Sequence, residues 1–220
     1  MKAKIKEIFS SVQGEGVYVG YKQLFVRFCK CNLNCAYCDT DFMAENAREY
    51  TPKELAEYCN KYTDCHSVSL TGGEPLMETE FLKEFIPLLK LPVYLETNAT
   101  LYKEAEEIMP FVEYVAADIK LPSATGLPPR WNEHDKFFKT SMNKKLFAKV
   151  VFDSNIADEE VRNATQICKK YGVELIIQPM MKGSNPAVSS EFMIETLNRF
   201  IKYYDKVRLI PQVHKFINVD

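Results

Sequence analysis

Glycine is scarce in this chain. There are 8 in 220 residues, about half the ordinary usage. Scarcity makes their placement informative, because Gly14, Gly16, Gly20, Gly72 and Gly73 fall in two short clusters. No apolar run reaches the ~18–20 residues of a membrane span. The opening MKAKIKEIFSSVQGEG holds no apolar signal-peptide core, so a cytoplasmic domain is expected. An excess of one charge is also missing. The 28 basic and 30 acidic residues leave a formal net charge of −2, which points away from nucleic acid and membrane surfaces as partners. Disulfides are not expected, because the 7 cysteines are odd in number and no secretory signal accompanies them. What is present is ordinary: 46% hydrophobic and 26% charged residues. That composition excludes a disordered chain, a collagen and a coiled coil. The length suits one domain burying roughly 70% of its unfolded surface.

Strand-like runs alternate with helix-period segments. The strands are expected at 22–28, 67–71, 93–97, 114–118, 147–152, 173–178 and 206–210. Thr51-Pro52-Lys53-Glu54 is a capping box with proline at the first helical position. Leu55, Tyr58, Cys59 and Tyr62 follow it on one face. Further helices are expected at 79–90, 102–110, 157–171 (stopping at Gly172) and 189–204, the last burying Ile194, Leu197 and Ile201. Such alternation implies parallel strands and right-handed crossovers. About six βα units with a closing strand are too few for a full barrel. The fold class is therefore α/β, an incomplete (β/α) barrel, with an open doubly wound sheet as second choice. The stretch 119–145 is the least regular. It is too long for a plain βα loop and reads as functional or mobile.

The chemically distinctive residues fall after strands. A cysteine cluster follows 22–28, Thr71-Gly72-Gly73-Glu74-Pro75 follows 67–71, and Glu96-Thr97-Asn98 ends 93–97. Asp118-Ile119-Lys120 ends 114–118, and Gln178-Pro179-Met180-Met181 ends 173–178. In a parallel α/β fold these ends share one rim, where such folds bind ligands. That placement points to an enzyme. Cys31, Cys35 and Cys38 stand in a C-x3-C-x2-C spacing. Three thiolates on one short loop suit three irons of a 4Fe–4S cube, with the fourth iron open. A structural zinc site, usually four protein ligands, is the alternative, with Cys29, Cys59, Cys65 or His66 as the fourth. Cys29 reads as a strand-end residue, and Cys59 and Cys168 read as core. His66, His134 and His214 lack a second ligand at helical spacing and are not expected on a metal. Trp131 and the Phe137-Phe138 pair read as packing.

The cysteine spacing, with Tyr37 before the third cysteine and the Gly-Gly-Glu element at 72–74, resembles the radical S-adenosylmethionine superfamily. A narrower resemblance rests on Gln13-Gly14-Glu15-Gly16, Phe25-Val26-Arg27-Phe28, Cys38-Asp39-Thr40 and Pro211-Gln212-Val213-His214-Lys215-Phe216. Together these look like the 7-carboxy-7-deazaguanine synthase family, from one end of the chain to the other. The resemblance implies a single domain over 1–220, with 1–21 as a substrate-binding extension and 211–220 as a tail over the active site. It implies a ring contraction of 6-carboxy-5,6,7,8-tetrahydropterin on the route to queuosine and other 7-deazapurines. It also implies a 4Fe–4S cluster, S-adenosylmethionine, Mg²⁺, a homodimer, and a flavodoxin or ferredoxin as electron donor.

Residue roles follow from the same resemblance. Cys31, Cys35 and Cys38 would hold the cluster, and Thr40 would offer a hydroxyl to Mg²⁺. Val12, Gln13, Gly14, Glu15, Arg27, Thr71 and Asp220 would contact substrate. Gln13 and Glu15 suit the pterin edge, and Arg27 suits its carboxylate. Tyr37, Asp39, Gly73, Glu74, Asp118, Ile119, Lys120, Ser141, Gln178, Pro179, Met180 and Met181 would lie on the S-adenosylmethionine side. The last ten residues are too apolar for a free tail and are expected to fold back over the pocket. A glycyl-radical activase acting on a protein is the competing class, and Gln13-Gly14-Glu15 and Thr40 argue against it.

Overall fold

The computed structural model describes residues 1–38 and 43–219. The strands are β1 (Ala3–Val12), β2 (Lys22–Phe28), β3 (Arg48–Tyr50), β4 (Ser67–Gly72), β5 (Val93–Thr97), β6 (Tyr114–Asp118), β7 (Lys145–Phe152), β8 (Glu174–Pro179), β9 (Met181–Lys182), β10 (Asn185–Pro186) and β11 (Val207–Leu209). The helices are α1 (Pro52–Cys59), α2 (Thr79–Phe85), α3 (Tyr102–Ile108), α4 (Pro122–Thr125), α5 (Trp131–Ser141), α6 (Asp158–Tyr171), α7 (Ser190–Ile201) and α8 (Val213–Ile217). Among the described residues, nine strands form one sheet in the order β11-β8-β7-β6-β5-β4-β2-β1-β3. From β2 to β11 every neighbour is parallel. The parallel strands follow one another in chain order without a reversal. That is the winding of a (β/α) barrel rather than a doubly wound sheet, in which strand order turns back. Among the described residues no helix is long and apolar enough to cross a membrane.

Alternation along each strand sorts the side chains into two layers. Leu24, Val26 and Phe28, Val68 and Leu70, Val115 and Ala117, Val150 and Phe152, and Leu175 and Ile177 join the main core with the helices. The opposite faces look into the barrel. There, Tyr94, Tyr114, Ala116, Phe147 and Ile176 form a second, smaller core. The turn Gly16–Tyr18 closes the lower end, with the Tyr18 ring 4.9 Å from Tyr114 and 5.7 Å from Tyr94. Aromatic filling at one end of the barrel leaves the strands' C-terminal end for polar chemistry.

Four features differ from the sequence expectation. The antiparallel pair β1–β2 was not anticipated, although Ala3, Lys4 and Ile5 run buried, exposed, buried. The stretch 119–145, expected to be irregular, holds the helices α4 and α5. Its helix α5 buries His134, Phe137, Phe138 and Ser141, an i, i+3, i+4, i+7 stripe hidden among Lys, Asn and Asp. Helix 79–90 ends early at Phe85 and continues as a tight turn over Ile86–Leu88, because Pro87 has no N–H to donate. Helix α7 turns Thr196 and Phe200 inward and leaves Ile194 and Ile201 exposed. The larger Phe200, with Tyr204 beyond it, occupies the inner face instead.

Candidate active site

One cleft of about 580 Å³ opens at the C-terminal ends of the strands, within the size range of small-molecule sites. The inward faces supply its walls: Arg27 from β2, Thr71 from β4, Glu96 from β5, Asp118 from β6, Lys149 from β7 and Gln178 from β8. Register makes them neighbours, since Arg27 pairs with Thr71 and Asp118 with Lys149. Three of the charges bear on neighbouring strands: Glu96, Asp118 and Lys149 stand in runs that parallel burial should otherwise make apolar.

The cysteine loop lines one side. Cys31 and Cys35 are half-buried and Cys38 is exposed. The loop is pinned at several points: Ala36 N donates to the Thr125 carbonyl at 2.9 Å, Cys38 N to that of Cys35 at 3.1 Å, and Glu74 N to that of Lys30 at 2.9 Å. Burial pushes the Cys31 and Cys35 thiols up, so a cation must bind for both to be thiolates at neutral pH. Gly73 packs directly against this loop. A Cβ built on it would overlap the Lys30 carbonyl oxygen and touch Cys31 N. Gly72 has φ +131, a backbone that side chains avoid. The Gly-Gly pair is thus what lets β4 end against the cysteine loop.

The substrate-side expectations line the same cleft. Gln13 donates to Glu96 Oε1 at 2.8 Å and to Gln23 at 3.0 Å, while the Thr71 hydroxyl donates to Glu96 Oε2 at 2.9 Å. Arg27 is paired with Glu7 at 2.5 Å. Glu15 is ion-paired to Lys149 and accepts from Gln212 at 2.6 Å. Burial opposes ionisation of Glu15, but the Lys149 ammonium and the Gln212 amide outweigh it and hold the carboxyl at about 2. The chain end folds back here. Val213 N donates to the Gly14 carbonyl at 2.8 Å, and a Cβ on Gly14 would overlap the His214 ring. Gln212, His214 and Lys215 therefore join Val12, Gln13, Gly14 and Glu15 in the cleft wall.

Tyr37, Gly73, Asp118, Lys120, Gln178, Pro179, Met180 and Met181 also line the cleft. Lys120 donates to the Tyr37 hydroxyl and to Asp118 Oδ2, each at 2.9 Å. Burial, and then the Asp118 charge, push the Tyr37 hydroxyl up, so it stays protonated. Three expected residues do not line the cleft: Glu74, Ile119 and Ser141. Each is fully buried. Glu74 spends its oxygens on Leu76 N at 3.1 Å, the Thr97 hydroxyl at 2.9 Å and Asn98 N at 2.8 Å. It braces the Thr97-Asn98 corner, whose Asn98 amide reaches Asn32 at 2.8 Å. Ile119 points to the helix side and belongs to the main core. Ser141 lies on the buried stripe of α5. Asp39, Thr40 and Asp220 lie outside the described residues. His134 is no ligand: its Nε2 accepts from Lys120 N at 3.1 Å, leaving Nδ1–H for the Ala99 carbonyl at 3.2 Å, and burial lowers it to about 4.

Glu74 gives a stability prediction. Replacing it with alanine leaves the buried Thr97 hydroxyl and Asn98 N–H without their acceptor, at a cost of about 2–4 kcal/mol. Thermal unfolding of Glu74→Ala should therefore come roughly 5–15 °C below wild type. A Tm within a degree of wild type would mean that the corner is held by other contacts.

Sequence reasoning placed Glu96 and Asn98 on the ligand-binding rim, and Gln212 and His214 in a tail over the site, but gave none of them a role and missed Lys149; all five line the cleft. The signal for Glu96 and Lys149 was present as an isolated charge inside an apolar strand. Asn98 was visible only as part of a strand end. The return of the tail was expected, but which of its side chains meet the cleft was not.

The residues present suit an iron–sulfur cluster and an adenosyl ligand. The donor set is three thiols on one loop, soft ligands appropriate to iron. Among the described residues, no three His, Cys, Asp or Glu side chains converge on a single ion. A cube asks each cysteine for a different iron. Beside the loop, Asp118 Oδ1 and Gln178 Oε1 are buried and have no hydrogen-bond partner among the described residues. Buried acceptors of this kind are normally satisfied, and they suit a ligand carrying hydroxyl and amino donors.

Comparison with known proteins agrees in kind. The profile of the Radical SAM superfamily matches residues 25–188. The 7-carboxy-7-deazaguanine synthase of Archaeoglobus fulgidus is 38% identical, covering 100% of both chains. That of Geobacter sulfurreducens is 32% identical, covering 98% of this chain and 97% of its own. Among solved structures, QueE from Escherichia coli superposes with a TM-score of 0.67 at 20% identity, over 97% of this chain and 95% of that one. This last likeness concerns the fold. With a superfamily match spanning the barrel and relatives matched end to end, the chain belongs to the radical S-adenosylmethionine superfamily and, within it, to the 7-carboxy-7-deazaguanine synthase family.

Proposed function

We propose that this chain contracts the ring of 6-carboxy-5,6,7,8-tetrahydropterin to give 7-carboxy-7-deazaguanine and ammonia, a step in 7-deazapurine (queuosine) biosynthesis. The observation that carries this reading is that one cleft brings together the three cysteines and two sets of polar groups. Tyr37 and Asp118 are joined through Lys120. Gln13 and Thr71 are joined through Glu96, and Glu15 and Arg27 line the same cleft. Cys31, Cys35 and Cys38 would hold the cluster, and with S-adenosylmethionine bound beside it the pair would supply one-electron chemistry able to remove a hydrogen atom from the pterin.

The chain's own residues supply the rest. Arg27 swings from Glu7 to the substrate carboxylate, exchanging one charge-assisted pair for another. Glu15, held ionised, accepts from the amino-pyrimidine N–H groups. Gln13 and Thr71, both anchored on Glu96, read the ring edge. The tail closes the cleft against Gly14 and limits water. Asp118, Lys120, Gln178 and the 178–181 segment bind the adenosyl ligand. Mg²⁺ at Thr40 and a contact from Asp220 are carried by the family resemblance, as are the homodimer, the flavodoxin or ferredoxin donor and work in the cytoplasm.

The deciding experiment mixes the iron-loaded protein with carboxytetrahydropterin, S-adenosylmethionine, reductant and Mg²⁺. Ammonia and deazaguanine formed together support the reading. Cleavage of S-adenosylmethionine with no pterin consumed would remove it and favour a protein substrate. Thr40→Val tests the metal site, since valine keeps the shape and loses the oxygen. Cluster and S-adenosylmethionine binding should survive while most of the Mg²⁺ activation disappears. An unchanged Mg²⁺ response would place the ion elsewhere.

A further inference from the structure

Lys149 stands on β7 between Phe147 and Val151, and its neighbours form a chain of polar links across the cleft. Gln212 donates to Glu15 Oε1 at 2.6 Å, and Glu15 Oε2 is paired with Lys149. Lys149 in turn lies 3.4 Å from Asp118 Oδ2. Lys120 holds that same oxygen at 2.9 Å and donates to the Tyr37 hydroxyl at 2.9 Å. The chain thus runs from the C-terminal tail to the cysteine loop. The side chains of Glu15, Lys149, Asp118 and Lys120 are only 22%, 17%, 13% and 14% exposed, so solvent and salt screen them weakly.

We propose that Lys149 is the positioning residue through which pterin binding at Glu15 tightens S-adenosylmethionine binding at Asp118. The inference rests on the roles given above to those two carboxylates. Its physical basis is a shared counter-ion. One ammonium has two carboxylates within reach, and Glu15 holds it more closely. A pterin whose N–H groups donate to Glu15 satisfies that carboxylate and weakens its hold on Lys149. The ammonium then moves toward Asp118, where 3.4 Å leaves room for approach. A closer pair fixes Oδ2 and leaves Oδ1, which has no partner among the described residues, as the acceptor for the second ligand. Linkage is reciprocal, so S-adenosylmethionine must tighten pterin binding by the same factor.

The test is equilibrium dialysis of S-adenosylmethionine on the iron-loaded protein. The cluster is left oxidised and Mg²⁺ is fixed, so neither ligand is consumed. Kd is measured with and without carboxytetrahydropterin at a concentration that saturates each variant. In wild type the pterin should lower that Kd by about 5- to 150-fold. In Lys149→Met the ratio should fall to about 1, with iron content retained. Lys149→Arg, which keeps the charge, should restore most of it. Methionine leaves the buried Glu15 carboxylate without its counter-ion, while Asp118 keeps Lys120, and so risks the fold. Lys149→Gln therefore serves beside it, because its amide donates to either carboxylate but carries no charge. A merely structural lysine would lower both affinities and preserve the ratio, and a preserved ratio in the folded neutral variant overturns the proposal. So does a wild-type Kd that the pterin leaves unchanged or weakens. A wild-type protein that binds neither ligand would instead defeat the reading of the cleft, and the coupling would fall with it.

Discussion

Cys35→Ala is expected to yield a colourless protein that neither cleaves S-adenosylmethionine nor consumes pterin. Anaerobically reconstituted wild type should be brown, with iron and sulfide near four per chain, as a 4Fe–4S cube requires. Cys35 is the middle ligand of the C-x3-C-x2-C loop, and its carbonyl accepts from Cys38 N at 3.1 Å. Alanine keeps that backbone turn and deletes the thiol, so the loss isolates ligation from folding. Because burial pushes the Cys35 thiol up, the free thiol is a neutral, weakly polar group, and removing it should leave thermal stability of the metal-free chain nearly unchanged. Cys29→Ser is the control. Cys29 is buried at the end of β2 with its thiol 3.9 Å from the Met43 carbonyl, and the serine variant should keep its iron. A full iron and sulfide load in Cys35→Ala would show that the cluster is held elsewhere. Loss of the cluster in Cys29→Ser would extend the ligand set to β2.

What the sequence made legible follows from period and from punctuation. The parallel strands stood out because both faces are covered, which makes runs such as Phe147–Phe152 apolar except at Lys149. The βα alternation fits both a barrel and a doubly wound sheet, and the observed strand order selects the barrel, which was the first choice. The capping box at Thr51 and the stop at Gly172 appear in the structure as read, with Glu54 and Thr51 bonded reciprocally and Gly172 left-handed. Helix α5 was less legible because its polar face outweighs four buried residues in composition. The orientation of α7 was illegible for a different reason. Its apolar residues mark two adjoining stripes, and only packing against β11 and α6 selects Thr196 and Phe200. At the site, residues announced by motif were easier to find than residues announced by topology. Cys31, Gly73 and Glu15 stand in recognisable strings. Glu96 and Gln212 were placed on the rim and in the returning tail without roles, and only their contacts with Gln13 and Glu15 assign them one. Glu74 shows the converse. A motif residue placed beside the cysteine loop turned out to brace it from behind, because the strand end turns its carboxylate toward Thr97 and Asn98.

Gly73→Ala is expected to lose most of the cluster, although it adds only a methyl group. The β4 strand ends by laying Gly73 against the backbone of Lys30 and Cys31, and an added Cβ would meet the Lys30 carbonyl rather than a side chain that can rotate away. Two backbone hydrogen bonds tie these segments: Gly73 N to the Phe28 carbonyl at 3.1 Å and Glu74 N to the Lys30 carbonyl at 2.9 Å. To admit the methyl group the strands must separate and weaken both. Overpacking of this kind costs about 1–3 kcal/mol where side chains can adjust, and here the obstacle is main chain. The movement also carries Cys31, so the spacing of the three thiols changes with it. Reconstituted Gly73→Ala should hold less than half the wild-type iron. Its S-adenosylmethionine affinity should fall with it, while circular dichroism still reports an α/β fold. The order of loss separates this account from general unfolding: on mild heating iron should leave well below the melting temperature of the barrel. Full iron incorporation in Gly73→Ala, with wild-type affinity for S-adenosylmethionine, would mean that β4 and the cysteine loop have slack between them and that the Gly-Gly pair is not what seats the cluster.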